Sequence, residues 1–421
     1  MSKKLIIVFM LFLLAGLVFG QRYGESDDFS YALKLYNEGF FDIAAQQFSL
    51  FVNKYPESEQ LPDAKYYLGL SLFNVKDYEN ARVEFQSMAV SFPDNKRAPE
   101  AWLKVGQSYE KLGKMEDAAR AYETVKVLYP KDPNAPEALF NAAQIYFRIR
   151  AYDKAELVLQ DFLDRYPESS NYPDGRLLYA NLQMEKGNYD QAYKEFDKVL
   201  KSGANNDVQA KAYLGLGRFY FKLGQMSRAR EQFEIILSKY KTSSAAFDAL
   251  IKNSELLALS RNYDSAIKLI NANSGQFKSQ KQKADIKLTL AAIYYFQEDY
   301  FSARKALEDV QSAALSDSVQ ARITFYLANI YQKEGKFDQS QTYFKNLLND
   351  DKLKSAGAEY LSTAEKQLGY GYLEAGAFDQ GYGALKEYVS AHPDDPALGT
   401  ILSDLFQATI ASGKERLAEN V

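Results

Sequence analysis

Few residues in this chain have the chemistry that catalysis or metal binding needs. The sequence has no cysteine and one histidine, His392, in a stretch rich in Pro and Asp that predicts a loop. A zinc site would have to use carboxylates almost alone, which is unusual for zinc. Adjacent aspartates occur without the spacing of an EF-hand, and no glycine-rich phosphate loop is present. We therefore expect no catalytic residue, no metal and no cofactor, and we do not expect an enzyme.

Amide and cationic side chains form a more informative pattern, because they recur at a fixed spacing of 37 residues and are paired four residues apart. A side-chain amide donates and accepts hydrogen bonds, so it can hold a peptide backbone, and a cation can pair with a carboxylate. Glu185 and Glu255 interrupt the series. The amide and cationic residues of this pattern are Gln107, Lys111, Gln144, Arg148, Asn181, Arg218, Lys222, Asn329 and Lys333.

The same spacing of 37 residues separates a series of small residues that runs through most of the chain. The series is Ala44, Ala81, Ala118, Ala155, Ala192, Ala229, Ala266, Ala303 and Ser340, followed after a step of 41 by Gly381. We call this the marker position and number other positions from it. A fixed period of this length indicates stacked repeats, a solenoid rather than a globule.

The residues around the marker predict two antiparallel helices in each unit. Position +4 is a bulky apolar residue, position −3 is aromatic or Met, and position −12 is small. Position −5 is Gly in six of ten units, and we expect it to end the first helix because a C-terminal cap often needs a positive φ. The small residues at −12 and at the marker are expected to face each other where the helices cross.

One unit carries the residues that link this pattern to a known family. It reads Trp102-x2-Val105-Gly106-x2-Tyr109, then Ala118-x3-Tyr122 and Pro130, and it resembles the tetratricopeptide repeat. The resemblance extends over about residues 28–421 and implies an all-α, right-handed solenoid of about ten units with a C-terminal capping helix. In that family the first helices line a concave groove, so the resemblance places positions −11 and −7 in this groove. It implies that the nine amide and cationic residues given above bind a partner; the alternative is an ordinary solvated polar face.

Paired prolines bracket the connections between units in the first half of the chain. Each first proline follows an aromatic residue and is expected to stop the second helix, and each second proline is expected to start the next unit. The pairs are Pro56 and Pro62, Pro93 and Pro99, Pro130 and Pro136, and Pro167 and Pro173. The loop-like residues 202–207 mark a boundary, so we predict arrays over 28–205 and 206–396 and a capping half-repeat over 397–421.

The second half of the chain contains the irregular units. In the unit over residues 248–280, Ala258 and Leu259 replace the usual aromatic residue, and the sequence over 271–275 predicts an early helix stop. The extra residues before Gly381 fall near residues 349–354. Leu398, Ile401, Leu402 and Leu405 share one face of the predicted capping helix.

The first residues have the pattern of an export signal. Two lysines precede an apolar run over residues 5–19, and small residues suit cleavage before Gln21. We predict a signal peptide over 1–20 and a short lead over 21–27; an uncleaved anchor is the alternative. The net charge of −4 and the lack of a basic face argue against nucleic-acid binding.

Together these features predict a non-enzymatic protein-interaction scaffold of the bacterial cell envelope, located in the periplasm and without a membrane span after cleavage. Residues 66–138 are similar to the repeat domain of the Tol–Pal coordinator and to repeat lipoproteins of outer-membrane assembly, through their aromatic-Pro-x5-Pro-acid-Ala segments. The alternative function is that of a structural or peptidoglycan-associated envelope protein. The partner, the pathway and the oligomeric state stay open.

Overall fold

The structure, a computed structural model, describes residues 24–311, 315–411 and residue 413. Within these residues the chain is all-α, without strands, and its helices are arranged as repeats. The helices form two compact units, which divide between Ala212 and Tyr213. The predicted array boundary at 205 and 206 lies shortly before this division. The predicted signal segment 1–20 lies outside the described residues.

The first unit contains five complete helix pairs. Its helices are α1 (24–37), α2 (Phe41–Lys54), α3 (Leu61–Asn74), α4 (Tyr78–Ser91), α5 (Ala98–Lys111), α6 (Met115–Leu128), α7 (Ala135–Arg148), α8 (Tyr152–Arg165), α9 (Tyr172–Glu185) and α10 (Tyr189–Lys201). The next helix, α11 (Asn206–Lys222), contains the division between the units. Residues 24–27 of the predicted lead already belong to α1.

The second unit continues the same alternation of first and second helices. Its helices after α11 are α12 (Met226–Lys239), α13 (Ala246–Leu259), α14 (Tyr263–Asn273), α15 (Gln280–Phe296), α16 (Tyr300–Gln311), α17 (Asp317–Lys333), α18 (Phe337–Asn349), α19 (Asp351–Ala356), α20 (Leu361–Glu374), α21 (Phe378–Ala391) and α22 (Leu398–Ala411). Short 3-10 turns cover Ser274–Gln276 and Ala358–Tyr360.

The irregular segments of the second unit fold as the sequence predicts. Helix α14 stops early, at Asn273. The inserted residues form the short helix α19, whose first amides are capped by the Asp350 side chain. Helix α22 buries Ile401 and Leu405, which is the apolar face expected of a capping helix. Residues 412 and 414–421 of the predicted half-repeat lie outside the described residues.

The turn between the two helices of a unit needs a left-handed backbone at position −5. Six units supply glycine there, with φ between 72° and 84°; the residues are Gly39, Gly113, Gly187, Gly224, Gly335 and Gly376. The other four units hold a residue with a side chain in the same conformation, with φ between 60° and 67°; these are Lys76, Arg150, Arg261 and Glu298. The predicted helix stop at this position is confirmed, and it does not depend on glycine alone.

Large side chains fill the space beside the helical glycines at the small positions of the repeat. A Cβ added to Gly106 would lie 2.5 Å from the ring of Tyr122, and one added to Gly217 would lie 2.2 Å from the ring of Phe233. At the marker position, a Cβ on Gly381 would lie 2.5 Å from Leu373. At these glycines the space that a side chain would take is occupied by a bulky residue of the paired helix, so a small residue is required there.

The paired prolines act as the sequence predicts. Pro62, Pro99, Pro136 and Pro173 all stand at the first or second position of a first helix. In two of the four connections a tyrosine precedes the other proline and bonds to the connection before it: the Tyr129 hydroxyl donates to the Pro93 carbonyl at 3.0 Å, and the Tyr166 hydroxyl donates to the Pro130 carbonyl at 3.2 Å. Each tyrosine therefore ties one connection to the connection before it.

Candidate functional site

Position −7 is the last residue of each first helix, and its side chain is exposed in every unit of the described chain. The residues are Asn37, Asn74, Lys111, Arg148, Glu185, Lys222, Leu259, Phe296, Lys333 and Glu374. Position −11, one turn earlier on the same helix, is half-buried or exposed throughout, whereas the marker position is always buried. Since residues four apart share a helix face, the two positions form one accessible surface, which we call the first-helix face.

The predicted binding residues of the first unit lie on this face, and several already have partners. The Gln107 side chain accepts from Lys104 Nζ at 3.0 Å, and Asn181 Nδ2 donates to the Leu177 carbonyl one turn earlier at 2.9 Å. The side chains of Gln144 and Lys111 are exposed. The face is therefore polar, and some of its hydrogen-bonding groups are already paired within the protein.

Arg148 has a structural contact in addition to its predicted role. Its Nη2 donates to Glu110 Oε2 at 3.1 Å, which links α7 to α5 of the preceding pair. The Tyr122 hydroxyl donates to the other oxygen of Glu110 at 2.7 Å. Burial raises the pKa of Tyr122, and the hydrogen bond to Glu110 raises this pKa further, so the phenol stays protonated and acts as a donor.

The predicted residues of the second unit also lie on the first-helix face. Arg218 forms an exposed ion pair with Asp248 at 3.2 Å, and Asn329 Nδ2 donates to the Phe325 carbonyl at 2.8 Å. Lys222 and Lys333 are exposed at the ends of α11 and α17. The nine predicted residues are thus exposed or half-buried at their expected positions, but they are divided between two units.

Helix electrostatics gives the cations at position −7 a second explanation. Lys111, Arg148, Lys222 and Lys333 each end a helix, where the partial negative charge of the helix C-terminus favours a cation by about 0.3–1 kcal/mol. A positive residue at this position therefore does not by itself indicate a partner. An apolar residue there has no such explanation.

Two apolar residues occupy position −7 in the second unit, and they border a cavity that the sequence interpretation missed. Leu259 is 70% exposed and Phe296 is 65% exposed. The cavity has a volume of about 730 Å³ and opens on the first-helix face of α13, α15 and α17. Its apolar lining includes Ile251, Ala258, Leu259, Leu288, Ile293 and Phe296.

The sequence contains the signal for this cavity. Ala258 stands at position −8, which holds a larger residue in every other unit and an aromatic one in five of them: Tyr36, Phe73, Phe147, Phe221 and Tyr295. The missing ring leaves room beside α15, and Ala258 lines the resulting space. From the sequence alone, the missing aromatic residue indicates only an irregular unit.

Charged residues around the cavity are mostly paired with one another. Lys252 binds Glu255 at 2.8 Å, and Arg322 binds Asp285. Arg261, in the turn after α13, also lines the cavity and forms no ion pair among the described residues. The cavity is therefore apolar at the ends of α13 and α15, and beside it lies Arg261, whose charge is unpaired in the part of the chain that the structure describes.

Metal binding and membrane crossing find no support in the described residues. Within residues 24–311 and 315–411, no three His, Cys, Asp or Glu side chains cluster as ligands of a metal ion would. His392 directly follows α21, and its Nε2 lies 3.1 Å from Glu365 Oε2. Along the same stretches, no helix combines the length and apolar character needed to cross a bilayer.

Comparison with protein families identifies the repeats. Residues 63–95 match one family model described as tetratricopeptide repeat, and residues 94–133, 103–170 and 177–246 match a second with the same description. These matches lie mostly in the first unit and end within the second. No curated protein matches the chain.

Solved structures with a similar arrangement of helices are distant in sequence. A tetratricopeptide repeat protein from Parabacteroides merdae is 16% identical, with a TM-score of 0.44, and the match covers 73% of this chain and 98% of that one. The apo form of the quorum sensor NprR from B. thuringiensis is 14% identical, with a TM-score of 0.48, and the match covers 76% and 96%. At these values the two structures say nothing about partner or activity.

Proposed function

Because this chain is a tetratricopeptide repeat protein, we propose that it is a non-enzymatic scaffold that binds a protein or peptide partner along its first-helix face. Proteins built from this repeat generally mediate protein–protein interaction. The partner segment lies in the groove that the first helices form, and the amide and cationic side chains at −11 and −7 hold it.

The observation that carries this proposal is the exposure of position −7 in every unit of the described chain. Packing fixes the marker and the bulky +4 residue, which are buried in each unit. Position −7 contributes to no core, so its residue type can be selected for contact with a partner. The first-helix face thus combines a regular scaffold with variable chemistry.

A charge-reversal variant tests the polar part of this face. Lys111→Glu, Arg148→Glu and Lys222→Glu together should abolish capture of an acidic partner segment, because each cation becomes a like charge. The matched control changes Lys194, Lys268 and Lys305 to Glu; these are exposed lysines on second helices and give the same change in net charge. Partner capture that is equal in both variants would refute the role of these cations.

The scaffold is proposed to be exported to the bacterial cell envelope. The apolar run over residues 5–19 after two lysines supports export, and the similarity of residues 66–138 to envelope repeat proteins supports that destination. The mass of the purified protein should correspond to a chain that begins at Gln21, and the protein should fractionate with the periplasm. A full-length mass and a cytoplasmic location would contradict this proposal. Retention on purified cell wall, without any protein partner, would favour the structural or peptidoglycan-associated role.

A further inference from the structure

The second unit places apolar side chains where helix physics favours charge. Leu259 and Phe296 are the last residues of α13 and α15, and roughly two thirds of each side chain is exposed. Neither side chain gains from the negative end of its helix. Neither is buried in the core of its own unit. Contiguous exposed apolar surface is typical of sites that contact a ligand or partner, and these two residues border the same cavity.

The space beside these residues suits a side chain from a partner. Its volume of about 730 Å³ is that of a cleft for a whole small ligand, so it has room for a bulky side chain together with part of the neighbouring segment. Leu259 and Phe296 are 37 residues apart, so the repeat places them at the same level on neighbouring first helices. Ile251, Leu288 and Ile293 form the apolar wall below them. A bulky apolar side chain entering between α13 and α15 would bury these surfaces.

The charged residues that line the cavity would favour some apolar partner segments over others. The charged residues of the cavity other than Arg261 are neutralised in ion pairs: Asp248 with Arg218, Lys252 with Glu255, and Asp285 with Arg322. Arg261 lines the same cavity two residues after Leu259, and it has no ionic partner in the described chain. An incoming carboxylate would pair with it, whereas an incoming ammonium group would be repelled.

We propose that this cavity binds a partner segment that presents one bulky apolar side chain with a carboxylate beside it. The apolar side chain enters between Leu259 and Phe296, and the carboxylate pairs with Arg261. This inference rests on the proposed role as an interaction scaffold and adds a subsite of defined chemistry, at a place that none of the nine predicted binding residues occupies.

Selection from a library of random peptides displayed on phage, with the purified protein as target, tests the proposal. Enriched peptides should carry an aromatic or large aliphatic residue next to Asp or Glu. The double variant Leu259→Ser and Phe296→Ser should weaken their binding by about tenfold or more, as expected for the loss of apolar anchors. Ala258→Phe should weaken it similarly by filling the cavity. The control Leu50→Ser changes a leucine that is 60% exposed on α2 and should have no effect.

A charge swap tests the role of Arg261. Arg261→Glu should weaken binding of the acidic peptides. Binding to this variant should be restored when the carboxylate residue of the peptide is replaced by Lys. Enriched peptides that bind the cavity variants as tightly as the wild type would overturn this subsite. If they instead lose binding to the Lys111, Arg148 and Lys222 reversal, the scaffold role survives without the subsite. Failure to enrich any peptide would count against both.

Discussion

The two units of this protein share their helix packing and differ in the chemistry of the first-helix face. In the first unit the five residues at position −7 are all polar: Asn37, Asn74, Lys111, Arg148 and Glu185. In the second unit the five are Lys222, Leu259, Phe296, Lys333 and Glu374, with two apolar residues next to each other in the series. The marker and +4 positions stay buried in both units. Packing residues are thus held constant by the repeat, while position −7 varies because no core depends on it.

The cavity shows how a small change in the packing residues can open space on the first-helix face. A single small residue, Ala258, replaces the aromatic side chain that fills position −8 in five other units. The neighbouring helices keep their register, so the lost volume remains open instead of collapsing. The polar face of the first unit and the cavity of the second therefore suit different partner chemistries on one scaffold.

The largest expected effect tests whether the units pack alike. Gly106→Ala in the first unit and Gly217→Ala in the second should each destabilise the protein by about 1–3 kcal/mol, because a Cβ would overlap a buried ring. Urea unfolding measures the loss. The control is Gly383→Ala, a helical position with no atom within 4 Å of an added Cβ, which should be neutral or stabilising. A neutral result at Gly106 or Gly217 would show that the two cores tolerate crowding differently.

The next effect compares two arginines at the same position. Arg150 and Arg261 both stand at position −5 with φ of 60°, one in each unit. Replacing either by Gly should stabilise the protein by about 0.5–1 kcal/mol, since Gly adopts the left-handed backbone without strain. Only Arg261→Gly should weaken binding of an acidic apolar peptide. If Arg150→Gly weakens that binding equally, the comparison of the two faces fails.

A smaller effect on stability is expected at position −7, where one substitution should raise stability and weaken binding. Phe296→Lys places a cation at the end of α15 and should stabilise the helix by about 0.3–1 kcal/mol, as cations at other first-helix ends do. The same variant should lose binding of apolar peptides in a titration. If thermal unfolding instead shows a clear loss of stability, Phe296 has a packing role and is not available for a partner.

The smallest effect concerns the pH dependence of the last connection. The Asp395 carboxylate accepts from the Tyr388 hydroxyl, the Ala397 amide and Lys366, which lowers its pKa to about 2. Its contribution is present above pH about 4, the range of an unfolded aspartate, and is lost as the pH falls toward 2. Asn95, at the equivalent place in the first unit, accepts from the Arg97 amide just before α5, and its side chain does not titrate. Asp395→Asn should therefore flatten the fall in melting temperature over this pH range; an unchanged fall would contradict the assignment.

The repeat architecture could be predicted because its determinants are local. The marker alanines, the glycines at −5 and the paired prolines specify helix contacts, turns and starts within a few residues of themselves. The early end of α14 at Asn273 and the insertion near Asp350 follow from turn and capping residues in the same way.

The cavity was harder to predict, because it depends on the absence of an aromatic side chain at position −8 of one unit. The sequence predicts that position −7 is accessible. The amides and cations there are easy to assign to binding, because their hydrogen-bonding chemistry follows from the residue type. The contacts of Arg148 with Glu110 and of Arg218 with Asp248 depend on neighbouring helices, so spacing alone does not show them. The cavity beside Ala258 is lined by residues of α13, α15 and α17, so it can be identified only when the relative positions of these helices are known.

Site-resolved photo-crosslinking in cells tests most directly whether the first-helix face binds the partner. A photoreactive phenylalanine analogue would replace Lys111 or Phe296 on that face, and Leu50 or Lys268 on second helices as controls. All four side chains are exposed, so the comparison is not biased by burial. We predict that discrete crosslinked proteins form from the first-helix positions and not from the controls. Equal crosslinking from all four positions, or crosslinking from the second helices alone, would contradict a scaffold that binds through its first helices.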